Sequence, residues 1–113
     1  KYIRDYIFVD DLVNGYVKLL NYMKSNNVKL NDTIFNFGTG KKIKVIEIVK
    51  KILKKLNKDK NYFEILNIAN NEINNQYTDY NKAKKLLNWK PTTNIDKGLN
   101  YTIEWYKKNY FKK

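Results

Sequence analysis

Two short runs rich in β-branched and aromatic residues, TIFNF at 33–37 and YFEIL at 62–66, flank a segment with a helical rhythm. Within Lys44–Leu56, apolar residues fall at Val45, Ile48, Val49, Ile52, Leu53 and Leu56, with lysines on the opposite side. That spacing predicts an amphipathic helix. A strand, a long helix and a second strand make a βαβ unit, whose crossover requires parallel strands and is nearly always right-handed. Two parallel strands do not persist by themselves, because such sheets need cover on both faces and neighbours at their edges. The expectation is therefore a partial α/β fold: a βαβ unit plus helices that extend a larger parallel sheet absent from this chain.

The remaining segments support that reading. Arg4–Val9 alternates well enough for a strand, with Tyr6 and Phe8 on one side and Ile7 and Val9 on the other. Asp10 or Asp11 then caps a helix carrying a broad stripe of Leu12, Val13, Tyr16, Val17, Leu19, Leu20 and Met23. Residues 24–32 read as a polar loop, and the amide-rich 67–76 as an irregular exposed one. A short helix is expected over Tyr80–Leu87 with Ala83, Leu86 and Leu87 inward. Asn88 supplies a left-handed residue at its end and Pro91 bars continuation. Asn94 caps a last helix that buries Ile95, Leu99, Ile103 and Tyr106. There is no repeat and no flexible linker, and 113 residues suit one domain.

Composition removes whole classes of chemistry. The chain has no Cys and no His, so disulfides, thiolates and imidazole acid–base sites are unavailable to it. Absence of cysteine fits a reducing compartment, and a cytoplasmic location is expected. No apolar run approaches the roughly 18 residues of a membrane span. The first residues lack the layout of a signal peptide, and no initiating Met is present, so the chain reads as a piece of something longer.

The formal charge of +12 suggests nucleic acid, but its distribution argues otherwise. Residues 41–60 hold nine basic and two acidic side chains, whereas residues 1–40 hold five and four. Asn, Ile and Tyr are abundant too, and their codons, like those of lysine, are rich in A and T. A biased genome accounts for the excess, and a charge run is usually a solvated face. Neither nucleic acid nor membrane is expected as a partner. The alternative, a free-standing basic domain that binds RNA or DNA, needs aromatic rings exposed beside lysines.

Three apparent motifs carry little. FGTGKK lacks the third glycine of a dinucleotide loop, since position 43 is Ile43, and lacks the Walker spacing, so Gly38 and Gly40 read as a tight turn. Tyr80 and Lys84 share a helical face, but this pairing is nearly unavoidable with ten tyrosines and so many lysines. Asp10 and Asp11 point in different directions and find no third carboxylate. One of them is expected to cap and the other to face solvent.

Four stretches taken together resemble the C-terminal region of extended short-chain dehydrogenase/reductases that act on nucleotide sugars. They are RDYIFVDDLVNGYVKLL, IFNFGTGKKIKVIEIVKKI, DYNKAKKLLNWKP and IDKGLNYTIEWYKKNY, colinear and spanning nearly the whole chain. In the third, Asn88 stands where the family has Gly. Within the family, NEINNQYTDYNKA is most similar to the signature of CDP-glucose 4,6-dehydratases. A UDP-sugar 4-epimerase region is the alternative. Epimerases usually carry an Arg and an Asp where this chain has Ala69 and Glu72.

The resemblance implies a Rossmann-type sheet and tightly held NAD, both supplied by an N-terminal portion that also holds the catalytic groups. A tyrosine–lysine pair and elimination acids would there perform a 4,6-dehydration, a lyase reaction. This chain alone would be inactive and would contribute no catalytic residue. The complete enzyme would be a homodimer. The substrate would be a nucleotide-diphosphate sugar, and the resemblance places Arg4, the only arginine in the sequence, on its diphosphate. A planar guanidinium makes paired charge-assisted bonds to phosphate that an ammonium does not. The bland alternative is a salt bridge with Asp5 or another surface role. Asn36 would sit near the phosphates, or else bond its own turn. Glu72 would accept from ribose or base, or else be a solvated loop acid. Tyr77 and Trp89 read as packing residues.

Overall fold

The computed structural model describes residues 1–25, 28–68 and 70–110. In chain order the elements are β1 (Ile3–Arg4), α1 (Val9–Ser25), a 3-10 turn (Leu30–Thr33), β2 (Ile43–Lys44), α2 (Val45–Lys55), α3 (Asn81–Leu87) and α4 (Ile95–Tyr110). β1 and β2 pair antiparallel, Ile3 opposite Lys44 and Arg4 opposite Ile43. On its other side β1 meets residues 74–76. Ile3 N donates to Asn74 O at 2.8 Å and Gln76 N donates to Ile3 O at 3.1 Å, a parallel bridge to Asn75. β1 is thus bonded along both edges, by β2 on one and by this single bridge on the other.

The main core forms where α1 and α3 meet. Ala83, Leu87 and Trp89 are buried there, with Ile7, Leu19, Tyr22, Phe35, Phe37 and Tyr80 packed around them. Trp89 sits edge-on to Phe37 at 4.9 Å and to Tyr80 at 5.8 Å, and its indole N–H donates to Asp11 O at 3.0 Å. The indole thus buries its apolar body while its only donor is satisfied. Asn88 makes this placement possible. Its φ of 47° and ψ of 42° turn the chain back after α3, so that Trp89 N donates to Ala83 O. α1 approaches the 33–37 run closely because position 15 is glycine: an added Cβ would lie 2.7 Å from the Phe37 ring.

A second seam joins α2 to α4. Ile48 and Leu53 are buried on α2, and Lys51 bonds Asp96 at 2.9 Å while Lys55 bonds Asn100 at 2.7 Å. The expected cap of α4 is present: Asn94 Oδ1 accepts from Lys97 N at 2.9 Å.

Several expectations change. The strand proposed for Arg4–Val9 contracts to Ile3–Arg4, because α1 begins at Val9 and Phe8 O already accepts from the amides of Asp11 and Leu12. Residues 33–37 and 62–66 form no ladder among the described residues, although Ile34 is extended at φ −81°, ψ 116°. Strand pairing is a two-body event, and among the described residues no neighbouring strand lies beside either run. Asp11 is no helix cap. It is buried and accepts from Thr92 Oγ1 at 2.6 Å, Thr92 N at 3.2 Å and Thr93 N at 2.9 Å, fastening the approach to α4 onto α1. The α1 stripe also differs. Leu12 and Leu19 are half-buried, but Val13, Tyr16, Val17, Leu20 and Met23 are exposed. Leu86 and Tyr106 are likewise exposed, while Ile95, Leu99 and Ile103 are half-buried. Helical period tells which residues share a face, not what covers it.

The body measures 53 × 38 × 19 Å. Its least dimension leaves room for about two layers of roughly 10 Å helices, too few to cover both faces of a parallel sheet.

Candidate functional site

Side chains on a strand alternate, so Arg4 and Asp5 at the end of β1 leave in opposite directions. Asp5 enters the Gly38-Thr39-Gly40 turn. Its carboxylate accepts from Thr39 N at 2.9 and 3.1 Å, from Gly40 N at 2.9 Å, from Thr78 N at 3.3 Å, and from the Thr39 hydroxyl. Gly38 is required by the same packing: an added Cβ would lie 2.5 Å from Thr78 Cβ and 2.7 Å from Asp5 Oδ2. Gly40 takes a φ of +69°, which side chains rarely adopt. The turn does cradle an anion, but the anion is an aspartate of the same chain. Its amides do not form a seat for a dinucleotide phosphate, so the residues present do not fit NAD.

Arg4 faces the other way, toward the 72–73 backbone. Nη2 donates to Glu72 Oε2 at 2.6 Å, and Nη1 donates to Ile73 O at 2.7 Å and to Ile3 O at 2.8 Å. The arginine side chain is 23% exposed and that of Glu72 is 46% exposed. The guanidinium carbon lies 5.7 Å from the centre of the Tyr2 ring. The partner is thus Glu72, not the neighbouring Asp5. The pairing of Ile3 with 74–76 explains the meeting, because it fixes the 72–73 segment beside the next residue of β1.

Two of the three residues expected at the site, Arg4 and Glu72, come together. Asn36 is exposed on the 33–37 run and takes no part in that pair. Ala69 lies outside the described residues. Tyr77 is exposed with the Lys42 ammonium 4.2 Å from its ring centre, while Trp89 is a packing residue as expected. Tyr80 packs against Trp89 at the start of α3. The role of Asp5 escaped the sequence reading. Its signal was the Gly-Thr-Gly turn, a nest of amides in need of an anion.

Elsewhere, burial by itself would raise the Asp11 pKa, but the Thr92 hydroxyl and the Thr92 and Thr93 amides outweigh it and hold the carboxyl below its ordinary value. Hydrogen bonding from Lys51 does the same for exposed Asp96. A groove of about 830 Å³ runs between residues 7–10 and α4, lined by Phe8, Asp10, Tyr101, Trp105 and Tyr106 among others. It offers no cation to a phosphate. Among the described residues no group of three His, Cys, Asp or Glu could hold a metal, and no helix is long and apolar enough to cross a membrane.

Residues 1–102 match the family described as GDP-mannose 4,6 dehydratase. The chain belongs to this family. It is 35% identical, over 94% of its length, to a UDP-glucuronate 4-epimerase of Thermodesulfobacterium geofontis, covering 31% of that protein. It is 33% identical over 95% of its length to the UDP-glucose 4-epimerase of Drosophila melanogaster, covering 30% of it. In three dimensions it resembles dTDP-glucose 4,6-dehydratase from Bacillus anthracis, solved with NAD, at a TM-score of 0.75 and 22% identity. It also resembles UDP-glucose 4-epimerase from Bifidobacterium longum, solved with NAD+ and UDP, at 0.77 and 29%. Each superposition spans 96% of this chain and 32% or 31% of the solved one. The chain thus spans about a third of the length of each of these four relatives. The expected family and the partial Rossmann-type α/β fold both hold.

Proposed function

We propose that this chain is the C-terminal nucleotide-sugar-binding region of an NAD-dependent epimerase/dehydratase, with Arg4 as the grip on the diphosphate. One observation carries the reading: the sole arginine of a lysine-rich chain stands at the end of β1 with its fork turned toward an exposed, amide-rich loop that presents Glu72. Two parallel N–H groups on a rigid plane match two phosphate oxygens, which a lysine does not reproduce. Glu72, once it has left Arg4, would meet the ribose or base through an acceptor oxygen that a glutamine also offers, and Asn36 would meet the phosphate side. NAD and the catalytic groups belong to an N-terminal Rossmann portion, since the glycine turn here is filled by Asp5. The complete enzyme would be a cytoplasmic homodimer.

UDP is the nucleotide favoured by the names of the relatives, several of them UDP-sugar 4-epimerases. The run Glu72-Ile73 followed by Gln76-Tyr77 favours a second reading, a CDP-glucose 4,6-dehydratase. Reading the gene upstream of Lys1 tests the class: roughly 200 further residues opening on a glycine-rich strand–turn–helix are expected, a usual domain size. Calorimetric titration of UDP and CDP into the protein at its natural length decides the base. There, Arg4→Lys should weaken nucleotide binding by about tenfold or more, the worth of a charge-assisted pair, with NAD affinity unchanged. Equal affinity in the two forms removes Arg4 from the site.

A further inference from the structure

Arg4 already holds an anion. The Glu72 carboxylate at 2.6 Å and the Ile73 carbonyl at 2.7 Å present two acceptors to the two terminal nitrogens of the fork. Two oxygens side by side before a guanidinium is the arrangement a diphosphate would take. We propose that Glu72 is a displaceable stand-in for the diphosphate, and that residues 72–76 form a strap that must release Arg4 before a nucleotide binds. The inference rests on the reading of Arg4 given above and adds an internal competitor to it.

Three features support release rather than a fixed ion pair. First, exposure is unequal: the carboxylate side of the pair is 46% exposed against 23% for the arginine, so Glu72 lies on the solvent side of the pair and can leave into water. Second, the strap is lightly held. Residues 70–77 are all exposed, and the backbone bonds of the strap to β1 are those from Ile3 N to Asn74 O and from Gln76 N to Ile3 O. Asn71, just before Glu72, adopts a φ of 60°, a left-handed corner about which the segment can swing. Third, Glu72 is the only charged residue between Glu64 and Asp79, in a run otherwise of amides and apolar residues, and it lies opposite the only arginine. An ion pair this exposed holds its partners together by a factor of roughly five or less. A diphosphate, carrying more charge and more acceptors, displaces it. While the site is empty the pair keeps the guanidinium extended and aimed.

The test uses UDP as probe and the protein at its natural length, in wild-type, Arg4→Lys and Glu72→Gln forms. Gln keeps size and polarity while removing the charge, and position 72 is exposed enough for the fold to tolerate it. Arg4→Lys is expected to weaken UDP binding and Glu72→Gln to tighten it by up to about fivefold, the ceiling set by the lost competitor. Amide hydrogen exchange over residues 73–76 is expected to quicken when UDP is added to the wild type. Glu72→Gln binding that is weaker or unchanged, or exchange over 73–76 that slows, overturns the strap while leaving Arg4 as the grip. Arg4→Lys binding equal to the wild type removes the grip and the strap together.

Discussion

Asp11 illustrates how one side chain can fasten two distant parts of this chain. Its carboxylate is buried and takes three donors from Thr92 and Thr93. Desolvation opposes its charge, yet the hydrogen bonds win and its pKa lies below the ordinary value. A group whose pKa is depressed by folding stabilises the native state above its unfolded pKa, and that contribution is lost as pH falls through the folded value. Stability should therefore decline as the pH is taken below about 4, where unfolded aspartate titrates. Asp11→Asn should cost roughly 1–3 kcal/mol at neutral pH, the usual worth of hydrogen bonds to a charged acceptor. It should also flatten the acid limb, as measured by thermal melts at neutral and acid pH. A melting curve for the variant that still falls as steeply in acid would assign the pH response to other carboxylates. Asp5 shows the same economy on β1: its neighbour Arg4 faces the strap while Asp5 locks the Gly38–Gly40 turn.

At the level of elements, the end of α3 gives the sharpest test. Asn88 holds a left-handed conformation so that Trp89 can turn back into the core. Ala in its place should destabilise by about 1 kcal/mol, whereas Gly should be neutral or slightly stabilising, because a Cβ is what that conformation penalises. Chemical denaturation of the two variants checks the order, and an Ala variant as stable as the Gly variant would contradict it. This corner was legible in the sequence, as were α2, α3 and the Asn94 cap, because each is specified within a few residues. The strands were not. Residues 33–37 and 62–66 have strand-like composition, but a ladder needs a second chain segment alongside, and nothing within either run says whether one is there. Asp11 with Thr92 and Arg4 with Glu72 were missed for a related reason. Their partners lie 81 and 68 residues away, and only the fold brings them together.

For the whole molecule, the exposed face of α1 matters most. Val9, Val13, Tyr16, Val17, Leu20 and Met23 all lie open on one helix. Contiguous apolar surface of this kind drives association in water. The 113-residue chain produced alone should self-associate in sedimentation experiments, and a Val17→Glu, Leu20→Glu double variant should be more nearly monomeric. A wild-type chain that sediments as a monomer at high concentration would show that this face is tolerated in water. The two Rossmann-type solved structures it resembles are about three times longer, which agrees with a body whose least dimension is only 19 Å.

The two tryptophans differ sharply in surroundings, Trp89 at 1% exposure between Phe37 and Tyr80, Trp105 at 53% on α4. Light of one excitation wavelength therefore reads two places at once. Blue-shifted emission that resists a soluble quencher reports on the α1–α3 core, and red-shifted emission that yields to it reports on α4, so loosening at either end can be followed without adding a dye.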